Sequence, residues 1–226
     1  MKKLKPQLGK SSRSAQRNAV STLYANLGFM SVDDPLGTIV VTSSVPNEGK
    51  TTIALELAEA MARSGKRTLL MECDMRRRSL AGRLGLHASA GVCAVVLGDV
   101  DLGQAVVRTA QPNLHFLDAE PGVASPADIV DSARFHNLVA FLGERYDYVV
   151  IDTPPVGTFV DAAIIGSAAD ATLLVVREDF VERTQVANAC DQLRKAGANL
   201  IGTVMNCCEK AVPEHYEQYA KGAKGE

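Results

Sequence analysis

The sequence predicts an α/β fold with a mostly parallel central sheet and helices on both faces. Two observations carry this prediction. Residues 38–44, 67–73, 114–117, 148–152, 171–176 and 200–206 form runs that are almost continuously apolar, the mark of strands buried on both faces. Between them lie stretches with apolar residues at helical spacing, over 50–63, 134–145, 161–168 and 181–196. Strands and helices that alternate in this way build a sheet that binds its ligands outside the carboxyl ends of the strands.

The chain has 226 residues, 46% of them hydrophobic and 22% charged, enough to bury the core of one domain. Its net charge of −2 excludes the strong basic excess of a dedicated nucleic-acid binder. No apolar run approaches the roughly 18 residues of a membrane span, and no apolar h-region follows the basic start as in a secretory signal. The five cysteines (Cys73, Cys93, Cys190, Cys207, Cys208) form no C-x-x-C pair and no zinc-ligand spacing with the four histidines. These features are expected of buried thiols in a reducing cytoplasm.

In chain order, residues 1–17 read as a flexible basic arm, with Lys2, Lys3, Lys5, Lys10, Arg13 and Arg17 and no acid as far as residue 32. Residues 18–210 form the α/β domain. The first strand, 38–44, is β-branched; the helix after it places Ile53, Leu57, Ala58 and Met61 on one face and stops at Ser64-Gly65. The next strand, 67–73, ends on acidic residues. Residues 84–112 are Gly-rich and less periodic, expected as short helices and loops. Residues 211–226 are a polar tail that cannot bury enough surface to order itself.

Residues 43–52 read S-S-V-P-N-E-G-K-T-T and join the first strand to the first long helix. A glycine before a helix lets backbone N–H groups wrap phosphate oxygens, and the helix N-terminus adds partial positive charge. Gly49, Lys50 and Thr51 match the end of G-x-x-x-x-G-K-[ST], with Ser44 in place of the first glycine. In that motif Lys50 reaches the β- and γ-phosphates and the Thr51 hydroxyl ligates Mg²⁺. Two further strands deliver carboxylates at their tips: Asp152 after 148–151, placed to hold a Mg²⁺ shell, and Glu72 with Asp74 after 67–71. Glu72 and Asp74, two residues apart, would share a face on a continuing strand and divide metal binding from proton acceptance.

At these motifs the chain resembles the bacterial tyrosine kinases of the P-loop type, and more narrowly the cytoplasmic kinases of capsular or extracellular polysaccharide systems. Residues 43–52 are similar to the family's S-S-x-x-P-x-E-G-K-[ST]-T loop, with Pro46 and Glu48 in place. Residues 72–77 are similar to D-x-D-x-R-R and residues 149–155 to V-I-I-D-T-P-P. The resemblance implies a P-loop NTPase of the deviant-Walker, MinD-like group that uses ATP with Mg²⁺. It implies that Pro46, Glu48, Gly49, Lys50, Thr51 and Thr52 bind the nucleotide and that Asn206 contacts adenine. Thr51, Asp74 and Asp152 would hold the metal, and Lys50, Glu72, Asp74 and Asp152 would serve the chemistry. Tyr216 and Tyr219 in the tail would accept phosphate, often on a neighbouring subunit.

The family further implies a transmembrane activator of the polysaccharide co-polymerase (chain-length regulator) type that recruits the cytoplasmic kinase to the membrane, a homo-oligomer in the dephosphorylated form, and a cognate tyrosine phosphatase. Three departures stand out. Glu72 replaces the first Asp of the second acidic motif, the tail holds only two tyrosines, and Asn18, Ser21 and Tyr24 replace the charges of the family's E-x-x-R-x-x-R packing helix. Two other functions share this fold. A positioning ATPase of the MinD or ParA type carries an extra lysine five positions before the P-loop lysine, where this chain has Val45. A catalytically weak nucleotide-binding regulator would bind ATP tightly without turnover.

Overall fold

A computed structural model describes residues 10–30 and 36–208. Its centre is a seven-stranded sheet in the order β3-β4-β2-β5-β1-β6-β7. The strands are β1 (Thr38–Ser43), β2 (Thr68–Glu72), β3 (Val106–Arg108), β4 (Leu114–Leu117), β5 (Tyr148–Asp152), β6 (Ala171–Arg177) and β7 (Leu200–Asn206). Every neighbouring pair runs parallel except β3 and β4. From β1 the chain winds first to one side and later to the other. Strand β1 therefore sits at the reversal point, where its carboxyl end opens a crevice.

Helices close both faces because the strands alternate apolar side chains to each. On one face Ile39, Val41, Leu70, Phe116 and Val150 meet Ile53, Leu57, Ala58 and Met61 of α2 (Lys50–Arg63). On the other, Val40, Leu69, Met71, Val149 and Ile151 meet α4 (Val92–Leu97) and Phe135, Leu138 and Leu142 of α7 (Ala133–Arg145). Leu174 and Val176 pack against α8 (Asp161–Ser167) and α9 (Arg183–Lys195). The short helices α3 (Leu80–Leu84), α5 (Leu102–Ala105) and α6 (Pro126–Val130) complete the order with α1 (Lys10–Met30).

Helix α1 changes two expectations. The basic arm expected over 1–17 is helical from Lys10, since nothing between Gly9 and Gly28 breaks a helix. The three positions that lack charges divide: Asn18 and Ser21 face solvent, while Tyr24 turns inward. There its ring meets Tyr148 edge-on at 5.8 Å, and its hydroxyl accepts from Ser64 Oγ at 3.1 Å. Buried Val20 and Leu27 hold the helix down, so its packing on the domain is apolar.

Residues 84–112 contain one strand that sequence periodicity does not show. Strand β3 pairs antiparallel with β4, Val107 opposite Phe116, and is only three residues long. Phe116 is the largest fully buried side chain of the cluster under α2. Phe116→Ala is expected to lower unfolding free energy by about 3–5 kcal/mol, read as a fall in the urea midpoint at unchanged slope.

Candidate nucleotide site

The loop from Ser44 to Gly49 is held by one buried carboxylate. Glu48 accepts from the Val45 N–H (2.8 Å) and from the Arg177 N–H at the end of β6 (3.1 Å). It closes the loop on itself and ties it to the sheet. Asn206, at the end of β7, donates its side-chain amide to the Glu48 carbonyl at 2.8 Å. Gly49 has φ +97°, and a Cβ there would lie 2.1 Å from Asn206 Nδ2, so only glycine fits. The resemblance points Asn206 at adenine; in the structure its amide braces the loop backbone. Ser44, in place of the first motif glycine, has no positive φ and so needs no glycine; its carbonyl packs against Gly157, where a Cβ would lie 2.3 Å away.

Helix α2 begins at Lys50, and the N–H groups of an α-helix's first turn lack intrahelical partners, an anion-binding end. Lys50 Nζ lies 2.9 Å from Asp74 Oδ2, 3.1 Å from Thr51 Oγ1 and 3.6 Å from Asp152 Oδ1. Thr51 Oγ1 donates to Asp152 Oδ2 at 2.7 Å. Four expected residues therefore meet at one point. Asp152 is fully buried, and its carboxyl is pushed up to about 6, chiefly by burial; Lys50 and Thr51 oppose the shift and the Asp74 charge adds to it. Its Oδ1 accepts no hydrogen bond.

Glu72 does not join this group. The strand ends there, so the two-residue period that would pair it with Asp74 stops. Its carboxylate accepts the N–H groups of Ser79 and Leu80 at the start of α3, which satisfies a fully buried group. Burial lifts it to about 7 against the pull of those two amides. Its place in the structure is that of a cap for α3, not a partner of Asp74.

Around Lys50 opens a cleft of about 250 Å³, lined also by Pro46, Thr52 and Asp74. Residues that sequence reasoning leaves without a role line it too. Arg76 lies 4.1 Å over the Phe159 ring and reaches Asp161 at 3.2 Å. Arg77 donates to Asn47 Oδ1 (3.1 Å) and Arg83 to Thr52 Oγ1 (2.8 Å). The run Arg76-Arg77-Arg78 directly after an acidic strand end is the signal that could find the first two; Phe159 has none. Tyr216 and Tyr219 lie outside the described residues.

The Asp152 shift has a stability consequence. Its pKa stands near 6 in the folded protein against an ordinary 3.8, so between those values the folded state holds a proton that the unfolded chain has lost. This stabilising contribution is full at low pH and is lost as pH rises through about 6. Asp152→Asn is therefore expected to gain on the parent in urea midpoint between about pH 5 and about pH 7.5. A constant difference across that range would contradict the assignment.

Comparison with known proteins agrees with this geometry. The AAA domain family model matches residues 38–200. Tyrosine-protein kinase YwqD of Bacillus subtilis (strain 168) is 33% identical over 212 residues, covering 94% of this chain and 89% of that one. The BceF tyrosine kinase domain superposes with a TM-score of 0.76 at 33% identity, over 84% of this chain and 76% of that one. The septum site-determining protein MinD of Pyrococcus horikoshii, solved with Mg-ADP, shares the fold at 22% identity and a TM-score of 0.66, over 81% of this chain and 76% of that one. A phosphate loop braced by Glu48, acidic strand ends converging on Lys50, and likeness along nearly the whole chain place this protein in the bacterial tyrosine-protein kinase family, on the P-loop AAA-domain fold.

Proposed function

We propose that the chain is an ATP-dependent protein-tyrosine autokinase that phosphorylates Tyr216 and Tyr219 and regulates capsular or extracellular polysaccharide synthesis. The observation that carries this reading is the convergence of Lys50, Thr51, Asp74 and Asp152 at the α2 N-terminus. The Gly49–Thr51 amides receive the β- and γ-phosphates of ATP, and the Lys50 ammonium leaves Asp74 to neutralise the charge of the transferring group. Asp74, freed from Lys50 and still held by the Arg77 N–H at 3.0 Å, accepts the proton of the tyrosine hydroxyl. The phenolic oxygen forms the new P–O bond as the bond from the γ-phosphorus to the β–γ bridging oxygen breaks, and ADP leaves with that electron pair. Rate comes from placing the hydroxyl in line.

A Mg²⁺ ion fits the donors present. Asp152 takes the Thr51 hydroxyl on Oδ2 and leaves Oδ1 without a hydrogen bond, so carboxylate and hydroxyl offer hard oxygens suited to an ion that arrives on its nucleotide. Thr51 and Asp152 would hold it, and it would supply charge neutralisation of the phosphate oxygens. Among the described residues no group of three or more His, Cys, Asp or Glu side chains forms a separate metal site.

The capping role of Glu72 supports a working kinase, since its longer side chain relative to the family's aspartate is taken up by the amides at the start of α3. No described helix is long and apolar enough to cross a membrane. By the family resemblance, the proposal also includes a cytoplasmic kinase recruited by a transmembrane activator of the polysaccharide co-polymerase type, with a homo-oligomer before phosphorylation and a tyrosine phosphatase to reset it. The MinD-like positioning role is disfavoured by Val45, where those ATPases carry lysine.

Incubating the full chain with ATP and Mg²⁺, then mapping the tail by mass spectrometry, tests the reading. Phosphate is expected on Tyr216 or Tyr219 in the parent, and at least about 100-fold less in Lys50→Met. A tail without phosphate, even with the activator's cytoplasmic segment added, would overturn the kinase assignment.

A further inference from the structure

The cleft around Lys50 is polar along most of its lining and aromatic at one place. Phe159 stands there, on the chain between β5 and α8, and Arg76 lies across its ring with Cζ 4.1 Å from the centroid. A second contact holds Arg76 in that pose. Its Nη2 donates to both carboxylate oxygens of Asp161, at 3.3 and 3.2 Å, and the Asp161 side chain is 1% exposed. The guanidinium is thus held along one edge and on one face, while 34% of the side chain stays exposed where it lines the cleft.

The three arginines of the cleft differ in what they can still bind. Arg77 and Arg83 donate to neutral oxygens, Asn47 Oδ1 and Thr52 Oγ1, and neither has a carboxylate within 4.0 Å among the described residues. Their charge is available to phosphate oxygens. Arg76 already faces a buried carboxylate, which weakens it as a phosphate ligand and leaves its flat surface as what it offers. Guanidinium planes and aromatic rings both stack on a further ring.

Position decides which ring. Arg76 is two residues beyond Asp74, on the loop that leaves β2. Asp74 and Lys50 meet at 2.9 Å, where the last phosphate of a nucleotide held by the α2 N-terminus would lie. Adenine is at the opposite end of the triphosphate from that phosphorus, whereas an attacking phenol must come up to it in line with the bond that breaks. We propose that Arg76 and Phe159 form the seat for the phenol ring of the acceptor, and so select tyrosine over serine and threonine. The inference rests on the autokinase reading and names the part of the cleft that recognises its substrate. It applies to Tyr216 and Tyr219 alike, since a ring is all that the seat reads.

The test uses the full chain with its own acceptors removed (Tyr216→Leu/Tyr219→Leu) and a synthetic acceptor peptide of residues 211–222, under the conditions in which the parent's tail takes up phosphate. In that chain Phe159→Leu is expected to raise KM for the peptide at least about fivefold, with kcat and the Kd for Mg·ADP within about twofold. Phe159→Tyr, which restores an aromatic face, is expected to keep the original KM. Arg76→Lys keeps a cation beside Asp161 but loses the plane, and is expected to raise KM as Phe159→Leu does. As competitors, peptides with phenylalanine at both tyrosine positions are expected to inhibit at least about fivefold more strongly than those with serine. An unchanged KM in Phe159→Leu or Arg76→Lys, a loss of Mg·ADP affinity as large as the rise in KM, a Phe159→Tyr variant as impaired as Phe159→Leu, or equal inhibition by the two competitors would each overturn the proposal. A parent whose tail takes up no phosphate overturns the autokinase reading and this inference with it; an active parent with any of those four results overturns this inference alone.

Discussion

A carboxylate in the middle of a parallel sheet has no water to lean on, and Asp152 survives there through two side chains from the first turn of α2. Thr51 donates to one of its oxygens and Lys50 approaches the other at 3.6 Å. Removing either would leave a buried charge with too few partners, a cost of several kcal/mol in general. The same dependence fixes where α2 begins and how its amides are aimed. It also keeps Lys50 poised between Asp152 and Asp74, so that an arriving phosphate competes for a lysine already in position. Binding and stability thus draw on the same few atoms.

The rest of the loop is stiffened by means that ordinary phosphate loops do not use. Glu48, wholly buried, binds two backbone amides that belong to different segments. Asn206 fills the space above Gly49, and Gly157 lets the chain after Asp152 press on Ser44. The hydroxyl of Thr42 donates to the Pro154 carbonyl and the Val156 N–H donates to the Ser43 carbonyl, stitching β1 to that same chain. The cleft is a rigid seam between three strand ends, and rigid seams hold oriented donors at little cost in reorganisation.

Much of this fold is legible in the sequence because a parallel strand covered on both faces must be apolar along its whole length. Strands β1, β2, β4, β5 and β6 announce themselves that way, β7 shows as an apolar run though it is a half-exposed edge strand, and α2 and α7 carry clean helical spacing. Strand β3 escapes notice, being three residues at an edge with Arg108 as one of them. At the site, Lys50, Thr51, Asp74 and Asp152 are legible because loop chemistry and strand tips dictate them. The placement of Glu72 is not legible, since its carboxylate bonds amides at the start of a helix seven and eight residues on. The bracing by Asn206 and the stacking of Arg76 on Phe159 depend on contacts across 158 and roughly 80 residues, which no local pattern encodes.

The carboxyl ends of the strands gather the site: Lys50, Asp74 and Asp152 at its centre, with Arg76, Arg77 and Arg83 lining the cleft around them. All of it depends on the terminal phosphates lodging at Gly49–Thr51, above Asp152. Calorimetric titration of the full chain with Mg·ADP, in the parent and in Lys50→Met, addresses that claim directly. The account predicts saturable binding in the parent, weakened at least about tenfold in the variant. No heat in the folded parent, or equal affinity in both, would contradict it.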